Sequence, residues 1–493
     1  MAALSPAPES YIQSMLDSDT YKYSMQNALL QYYPDVLVKY RFTNRGGTRF
    51  TRGMFEACQI AIKHLETLKL TSDERAFLER RCPYLPAAYL DFLASYRFRP
   101  DEQVKFEFVS TGKDDQGIEW GSFELEIKGK WVETILYEVP LMSIISEAYF
   151  THVDKAWDYI GQFEQARQKG HRLFEAGCVL SEFGSRRRRT YKAHDIVMRG
   201  LIKANEECGN GKAGQGGKLA GTSNLHFAHK YDLVPIGTIA HELIMGIAAL
   251  EGYEGSNGRT MDLWEKVYPD GSLGIALTDT FTTRPFFEDF IAKPERARRW
   301  KGLRQDSGDP VKFIPMAKEA FEKVGADPKT KVVVFSDALD VDRCIELKQA
   351  ADEAGIGSSF GVGTNLTNDF RCVKDPVLKD TPGEGELRTG GEKSKAVSRA
   401  RSTKSGDSLA DNFRLQLNMV IKVRLTSWSA RRARGPGADS KIFAQLYSIN
   451  DQPCVKISDE LTKNTGDPEA VKIVKQRFGL EEHSAESKWG PTV

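Results

Sequence analysis

Val332-Val333-Val334-Phe335 is a continuous apolar run of the kind found in strands buried on both faces. A helical pattern follows from about Val341 to Ala354 and stops at Gly355. Ser359-Phe360-Gly361-Val362 then reads as the next strand. Strand, helix and strand in this order require a crossover, hence parallel pairing. The same texture, short apolar runs alternating with helical patterns, extends from about 143 to 371. It predicts an α/β sheet or barrel.

The first 140 or so residues read differently. Tyr11 to Tyr33 reads as a helix after a disordered start, and Val38 to Phe42 alternates like a strand. Thr71-x-x-Glu74 is a capping box that opens a helix. Val104 to Phe108 and Phe123 to Ile127 alternate at period two, and a turn at Gly129-Lys130 leads into Trp131 to Val139. This reads as a half-buried antiparallel sheet. Two later stretches are foreign to the rest. Residues 379–410 have no aromatic side chain, five Gly and many Ser, Lys and Arg, and 428–441 hold Arg431-Arg432-Ala433-Arg434-Gly435-Pro436-Gly437. Both read as disordered insertions. Order resumes with the strand-like Val455-Lys456-Ile457 and a helix capped by Asp467 that stops at Gly479.

The 493 residues carry 69 Lys and Arg against 68 Asp and Glu. This balance argues against a nucleic-acid or membrane-surface role. The two foreign stretches hold eleven Lys and Arg against six Asp and Glu, so the rest of the chain is mildly acidic. No apolar run is long enough for a transmembrane helix, and the N-terminal residues lack the features of a secretory signal. Seven scattered cysteines without a C-x-x-C pair fit reduced thiols. The expected location is the cytoplasm, with the nucleus as a second compartment.

Four constellations can carry chemistry. In Glu182-Phe183-Gly184-Ser185-Arg186 an aromatic ring and a guanidinium flank a Gly, which suits a flat anion; the competing reading is a solvated basic run, Arg186 to Arg189. Gly221-Thr222-Ser223-Asn224 and Gly237-Thr238-Ile239-Ala240-His241-Glu242 put small and hydroxylated residues at strand ends. His241 falls at a strand-to-helix junction, and Met245 breaks any H-E-x-x-H zinc motif. Thr278-Asp279-Thr280-Phe281 and Arg304-Gln305-Asp306-Ser307-Gly308-Asp309 suit a phosphorylated sugar, or an ordinary Ser-Gly-Asp-Pro turn. Gly361-Val362-Gly363-Thr364-Asn365 reads as a tight turn whose N–H groups can cradle a phosphate, without a dinucleotide or Walker-A fingerprint.

In this order, together with Ser18-Asp19-Thr20-Tyr21-Lys22-Tyr23-Ser24-Met25 and Lys456-Ile457-Ser458-Asp459, the motifs resemble the nicotinate phosphoribosyltransferase family, its fungal form in particular. The resemblance implies a type II phosphoribosyltransferase fold: an irregular α/β-barrel and a second α+β domain built from both ends of the chain. The domains would then be 1–142, the barrel at 143–378, an insertion at 379–410, and 411–493 returning to the N-terminal domain. It also implies transfer of phosphoribosyl from phosphoribosyl pyrophosphate to nicotinate in NAD salvage, with Mg²⁺ and with ATP as co-substrate.

Residue roles are likewise implied by the resemblance. Tyr21 and Phe183 would sandwich the pyridine ring, with Tyr21 supplied by a neighbouring subunit in related homodimers. Arg304 and Arg186 would meet the carboxylate or a phosphate. Thr222, Ser223 and Ser307 would add polar contacts. Asp306 and Asp309 would hold ribose hydroxyls or Mg²⁺, which otherwise binds through the substrate, and Gly361, Gly363 and Thr364 would cup the 5′-phosphate. His241 would be phosphorylated by ATP, with Asp279 holding its other nitrogen. Ser223 stands where the nicotinamide-using sister enzyme has Asp, which favours nicotinate. The alternatives are nicotinamide or quinolinate as the base, or an inactive binding homologue. Ser336-Asp337 offers one acid where a type I phosphoribosyltransferase carries two, so it is assigned to the barrel core.

Overall fold

The computed structural model describes residues 11–44, 47–211, 216–370, 373, 442–460 and 464–480. Both foreign stretches, 379–410 and 428–441, lie outside the described residues. The strands are β1 Leu37–Asn44, β2 Phe50–Thr51, β3 Val104–Lys113, β4 Glu119–Lys130, β5 Val179–Glu182, β6 Lys218–Thr222, β7 Ile275–Leu277, β8 Gly302–Gln305, β9 Val332–Phe335, β10 Gly357–Val362, β11 Ile442–Ile449 and β12 Gln452–Pro453.

They form two sheets. In the order β6-β5-β10-β9-β8-β7, every pairing is parallel. The helix Val341–Ala354 makes the crossover from β9 to β10 and ends on Gly355 at φ 74°. Only a residue without Cβ takes that left-handed position freely. Val333 and Phe335 are buried, whereas Val332 and Val334 are half-buried, so β9 is less enclosed than its apolar run suggests. The two end strands are joined by an irregular segment. Thr222 bridges Pro235 in parallel, and the Thr238 hydroxyl donates to the Ile275 carbonyl at 3.2 Å. Residues 235–239 thus take the place of a strand and close an irregular barrel.

The second sheet is antiparallel in the order β12-β11-β1-β4-β2, with β3 also on β4. β11 lies along β1 from Ile442 opposite Asn44 to Ile449 opposite Val38, so the C-terminal part of the chain completes the N-terminal unit. Aromatic rings fill its core: Phe50 stacks on Phe123 at 4.2 Å and Phe55 lies 4.7 Å from Phe106. The Thr71–Glu74 capping box is present.

Four details differ from the sequence reading. The first helix spans Thr20–Tyr32 and does not begin at Tyr11. Residues 16–19 instead follow a non-helical path along the barrel, where Leu225 N–H bonds the Ser18 carbonyl and Thr20 N–H bonds the Ser223 carbonyl. β4 continues through Lys130, and Trp131–Thr134 turns into helix. The apolar run there is enclosed on all sides, a pattern that short strands and buried helices share. The helix Glu138–His152 crosses the expected 142/143 boundary. Val455-Lys456-Ile457 forms isolated bridges, Lys456 to Thr465 and Ile457 to Phe281, rather than a regular strand.

One ionic cluster ties the two units together. Lys22 is fully buried between Glu138, at 2.5 Å, and Glu242. Glu242 also accepts from the Tyr40 hydroxyl at 2.5 Å and from Trp131 Nε1 at 2.7 Å. Gly246, one turn further along the same helix, lets Trp131 approach: a Cβ there would fall 2.0 Å from the indole ring. Lys22→Met would take the shared cation from buried Glu242 and half-buried Glu138, leaving them the Tyr40 and Trp131 bonds and the Arg186 pair. It is expected to lower stability by about 3–5 kcal/mol in chemical denaturation, whereas a loss below ~1 kcal/mol would show that the carboxylates find other partners.

Candidate active site

Parallel sheets collect functional groups where their strands end. Here the carboxyl ends of β5, β6, β8, β9 and β10 surround a cavity of about 310 Å³. β5 and the loop after it supply Phe183, Arg186 and Arg187, and the loop after β6 supplies Ser223. The loop after β8 supplies Asp306 and Ser307, with Arg304 on the strand itself, and Ser336 and Asp337 follow β9. Gly361, Gly363 and Thr364 line the β10 side. Tyr21 enters from the first helix of the same chain, so one chain carries both rings expected around a flat substrate.

Gly361 belongs to β10, paired with Ser181, rather than to a turn. Its missing side chain makes room for Phe183, because a Cβ would sit 2.4 Å from that ring. A Cβ on Gly363 would meet the Phe183 carbonyl at 2.7 Å. The Phe183 loop is held from below by Glu182, which is wholly buried. Glu182 accepts from the Thr222 hydroxyl at 2.6 Å and from the Gly184 N–H, and lies 2.9 Å from His194 Nε2. Thr222 therefore faces this support and does not line the cavity.

The Arg186–Arg189 run is not a solvated face. Arg186 pairs with Glu138 at 3.0 Å and lines the cavity. Burial beside Arg186 pulls the Arg187 guanidinium down to about 10. Arg188 is buried on Asp17 at 2.7 Å, and Arg189 stacks 4.1 Å from the centre of Phe150. Arg304 has one bond, from Nη1 to the Ile239 carbonyl at 3.4 Å, while its buried Nε has no hydrogen-bond partner. Nη2 also lies 3.7 Å from Asp306 Oδ2, and a guanidinium that lines a cavity with an unbonded Nε is suited to an anion.

His241 begins the helix His241–Glu251. Nδ1 lies 2.9 Å from the Thr280 hydroxyl. Nε2 lies 3.1 Å from Asp306 Oδ2, 2.8 Å from Lys456 Nζ and 3.8 Å from Asp279 Oδ1. The carboxylate nearest the ring is thus Asp306 and not the expected Asp279. Asp279 instead accepts from the Ser307 hydroxyl at 2.6 Å and faces Lys456 at 3.5 Å. Burial, and next the Lys456 ammonium, pushes the imidazole below its usual value against the pull of Asp279 and Asp306. Both effects favour the uncharged ring over the imidazolium. Burial opposes ionisation of Asp306, but Arg304, His241 and Lys456 outweigh it and hold the carboxyl well below the usual range. Ser336 adds a bond to Asp306 Oδ1 at 2.6 Å.

Asp309 is exposed and caps the helix Pro310–Lys323 by accepting from Val311 N–H at 3.0 Å. It does not line the cavity. Lys456 does, and the sequence reading assigned it no role. It stands 215 positions from His241, so no local spacing links them. The segment carrying it runs beside the barrel: Ile457 N–H bonds the Thr280 carbonyl, and Asp459 accepts from the Thr283 N–H at 2.7 Å. Asp19 is a second addition, buried in the cavity wall and accepting from the Ser223 hydroxyl at 2.7 Å. Burial raises its carboxyl, against the opposing charge of Arg186.

Residues 178–426 match the nicotinate phosphoribosyltransferase (NAPRTase) family, and residues 16–146 match its N-terminal domain. A nicotinate phosphoribosyltransferase of Saccharomyces cerevisiae is 37% identical over 483 residues, covering 97% of each chain. One of Methanosarcina mazei is 36% identical over 492 residues, covering 96% of this chain and 100% of that one. The crystal structure of nicotinate phosphoribosyltransferase from Porphyromonas gingivalis is 31% identical and aligns with a TM-score of 0.73 over 95% of this chain and 100% of that chain. The fold is that of a type II phosphoribosyltransferase. The chain is a member of the nicotinate phosphoribosyltransferase family.

Removing the ammonium beside His241 should let the ring accept a proton more readily. In Lys456→Met the His241 titration, followed by NMR of labelled histidine, is expected to move up toward the usual imidazole value. An unmoved titration would show that the cation does not act on the ring.

Proposed function

We propose that this chain transfers phosphoribosyl from phosphoribosyl pyrophosphate to nicotinate, releasing nicotinate mononucleotide and pyrophosphate, and that ATP stimulates the reaction by phosphorylating His241. The single observation that carries this reading is the ring pair Tyr21 and Phe183 in one cavity with Arg304, Asp306 and His241. The pyridine nitrogen attacks C1 of the ribose while the C1–oxygen bond to pyrophosphate breaks and the leaving group keeps the electron pair. Charge builds on C1 and on the departing oxygens, so fixed cations and a fixed ring position lower the barrier. Arg304 and Arg186 meet the carboxylate or the phosphates, and Gly363 and Thr364 stand where a 5′-phosphate would be cupped.

For His241, Asp306 and Lys456 both address Nε2, one accepting a ring N–H and the other donating to a ring lone pair. Nδ1 is closed off by the buried Thr280 hydroxyl, so the nucleophile toward the γ-phosphorus of ATP is Nε2, in the tautomer that carries its proton on Nδ1 and leaves the Nε2 lone pair toward Lys456. The bond from that phosphorus to the bridging oxygen breaks, and ADP leaves with the electron pair. Lys456 then offsets the added negative charge. Mg²⁺ fits this arrangement. Asp279 Oδ1 is buried with no hydrogen-bond partner, and His241, Asp279 and Asp306 present ligand atoms within 4.8 Å of one another. Asp279 and Asp306 would hold the ion together with substrate phosphates, and the ion would neutralise phosphate charge. Asp309, engaged as a helix cap, would not.

Nicotinamide is the second reading, because Asp19 puts an acceptor carboxylate in the cavity wall. The Ser223 hydroxyl bonded to it and the facing Arg186 favour an anionic base over an amide.

With γ-labelled ATP, the wild-type protein is expected to take up label and His241→Asn to take up none. An unlabelled wild type would remove the phosphohistidine step. In competition, nicotinate is expected to be used in preference to nicotinamide, and Ser223→Asp to lower nicotinate kcat/KM by about 100-fold, the equivalent of ~3 kcal/mol of like-charge repulsion. Equal use of the two bases by the wild type would overturn the choice of substrate.

A further inference from the structure

Outside the cavity, one other group of side chains has both the composition and the spacing of a metal site. His171 and Glu175 stand one turn apart on the helix Gln162–Glu175, and Cys208 ends the helix Tyr191–Glu207 beside it. His171 Nδ1 lies 3.3 Å from Cys208 Sγ and 3.6 Å from Glu175 Oε1, and all three ligand atoms lie within 4.8 Å of one another. A tetrahedral zinc ion, with bonds of about 2.0–2.3 Å to nitrogen, oxygen and sulfur, has N···S and N···O edges of about 3.4–3.6 Å. The two edges from His171 Nδ1 already lie near that separation.

The second ring nitrogen is oriented as in metal-binding histidines. Nε2 lies 2.6 Å from Glu207 Oε2, which takes the Nε2–H and leaves the Nδ1 lone pair facing the thiol. Arg167 Nη1 stays on the Nε2 side, 2.7 Å from Glu207 Oε2 and 3.3 Å from Nε2. Lys203 is 3.9 Å from the other Glu207 oxygen. Cys208 is half-buried, whereas the other described cysteines are buried, so an ion can reach it.

We propose that His171 Nδ1, Cys208 Sγ and Glu175 Oε1 bind one thiophilic divalent cation of the zinc class, with water as the fourth ligand. On binding, the S–H bond of Cys208 breaks, a sulfur–metal bond forms and the proton passes to solvent. Thiolate and carboxylate together balance the two positive charges. Without the metal, burial and the neighbouring Glu175 and Glu207 keep the thiol protonated. The site is remote from the chemistry. Its two helices lead into β5 and β6, so it sits at the amino ends of the strands, where barrel features serve stability. The helices pack closely there, since a Cβ on Gly170 would lie 2.7 Å from Ala204. A bound ion would pin them together.

The test uses the full chain, stripped with EDTA and titrated with Co²⁺, which gives a thiolate charge-transfer band when it binds sulfur. One equivalent is expected to raise the band, and Zn²⁺ to abolish it by displacement. The band is expected to vanish in Cys208→Ser and His171→Ala and to need about tenfold more Co²⁺ in Glu207→Gln. Zn²⁺ is expected to raise the thermal midpoint of the wild type but not of Cys208→Ser, with nicotinate turnover unchanged. Glu175 is exposed, so Glu175→Gln leaves the fold intact and is expected to weaken binding as well. No band in the wild type, or a band of equal strength in Cys208→Ser, would overturn the proposal.

Discussion

The ammonium of Lys22, enclosed by Glu138 and Glu242, is the contact on which the architecture turns. Each of the three groups is costly to bury alone and tolerable only in company. Lys22 belongs to the first helix, Glu138 opens the helix that leads to the barrel, and Glu242 follows His241. Tyr40 and Trp131 bring the antiparallel sheet to the same carboxylate. The cluster therefore does more than join two domains. It sets where Tyr21 and Arg186, each next in the chain to or paired with a member of it, stand relative to His241.

The site can be understood as a contest among charges in a small space. Arg186, Arg187, Arg304 and Lys456 line the cavity together with carboxylates that include Asp19, Asp306 and Asp337. Lys456 lies close to an imidazole that burial already pushes below its usual value. Asp306 is held ionised by its surroundings and so can accept from the ring without competing for its proton.

Much of this was legible in the sequence because it is local. The βαβ unit around Val332, the capping box at Thr71 and the Gly355 stop follow from neighbouring residues. So do the motifs that end strands, since a strand's last residues are adjacent in the chain. What escaped depends on distance in the chain. Residues 11–19 have helical composition but spend their backbone groups on the barrel. Asp309 looks like a ligand and is used as a cap. Lys456 meets His241 because its segment bonds along Thr280 to Thr283, a long-range contact that no periodicity announces. Arg186 to Arg189 read as a solvated run because repeated charge is usually exposed; here Arg188 and Arg189 are buried, and Arg186 and Arg187 line the cavity.

The passage of the chain from β11 to the barrel mouth has a consequence for how the molecule comes into being. Synthesis proceeds from the amino end, and domains ordinarily fold as they emerge. Here the outer sheet lacks its β11 edge and the reaction centre lacks Lys456 until residues beyond 440 have been made. A nascent chain can form most of the barrel strands before Lys456 is available to it, and pairing β1 with β11 is a long-range step of the kind that slows folding.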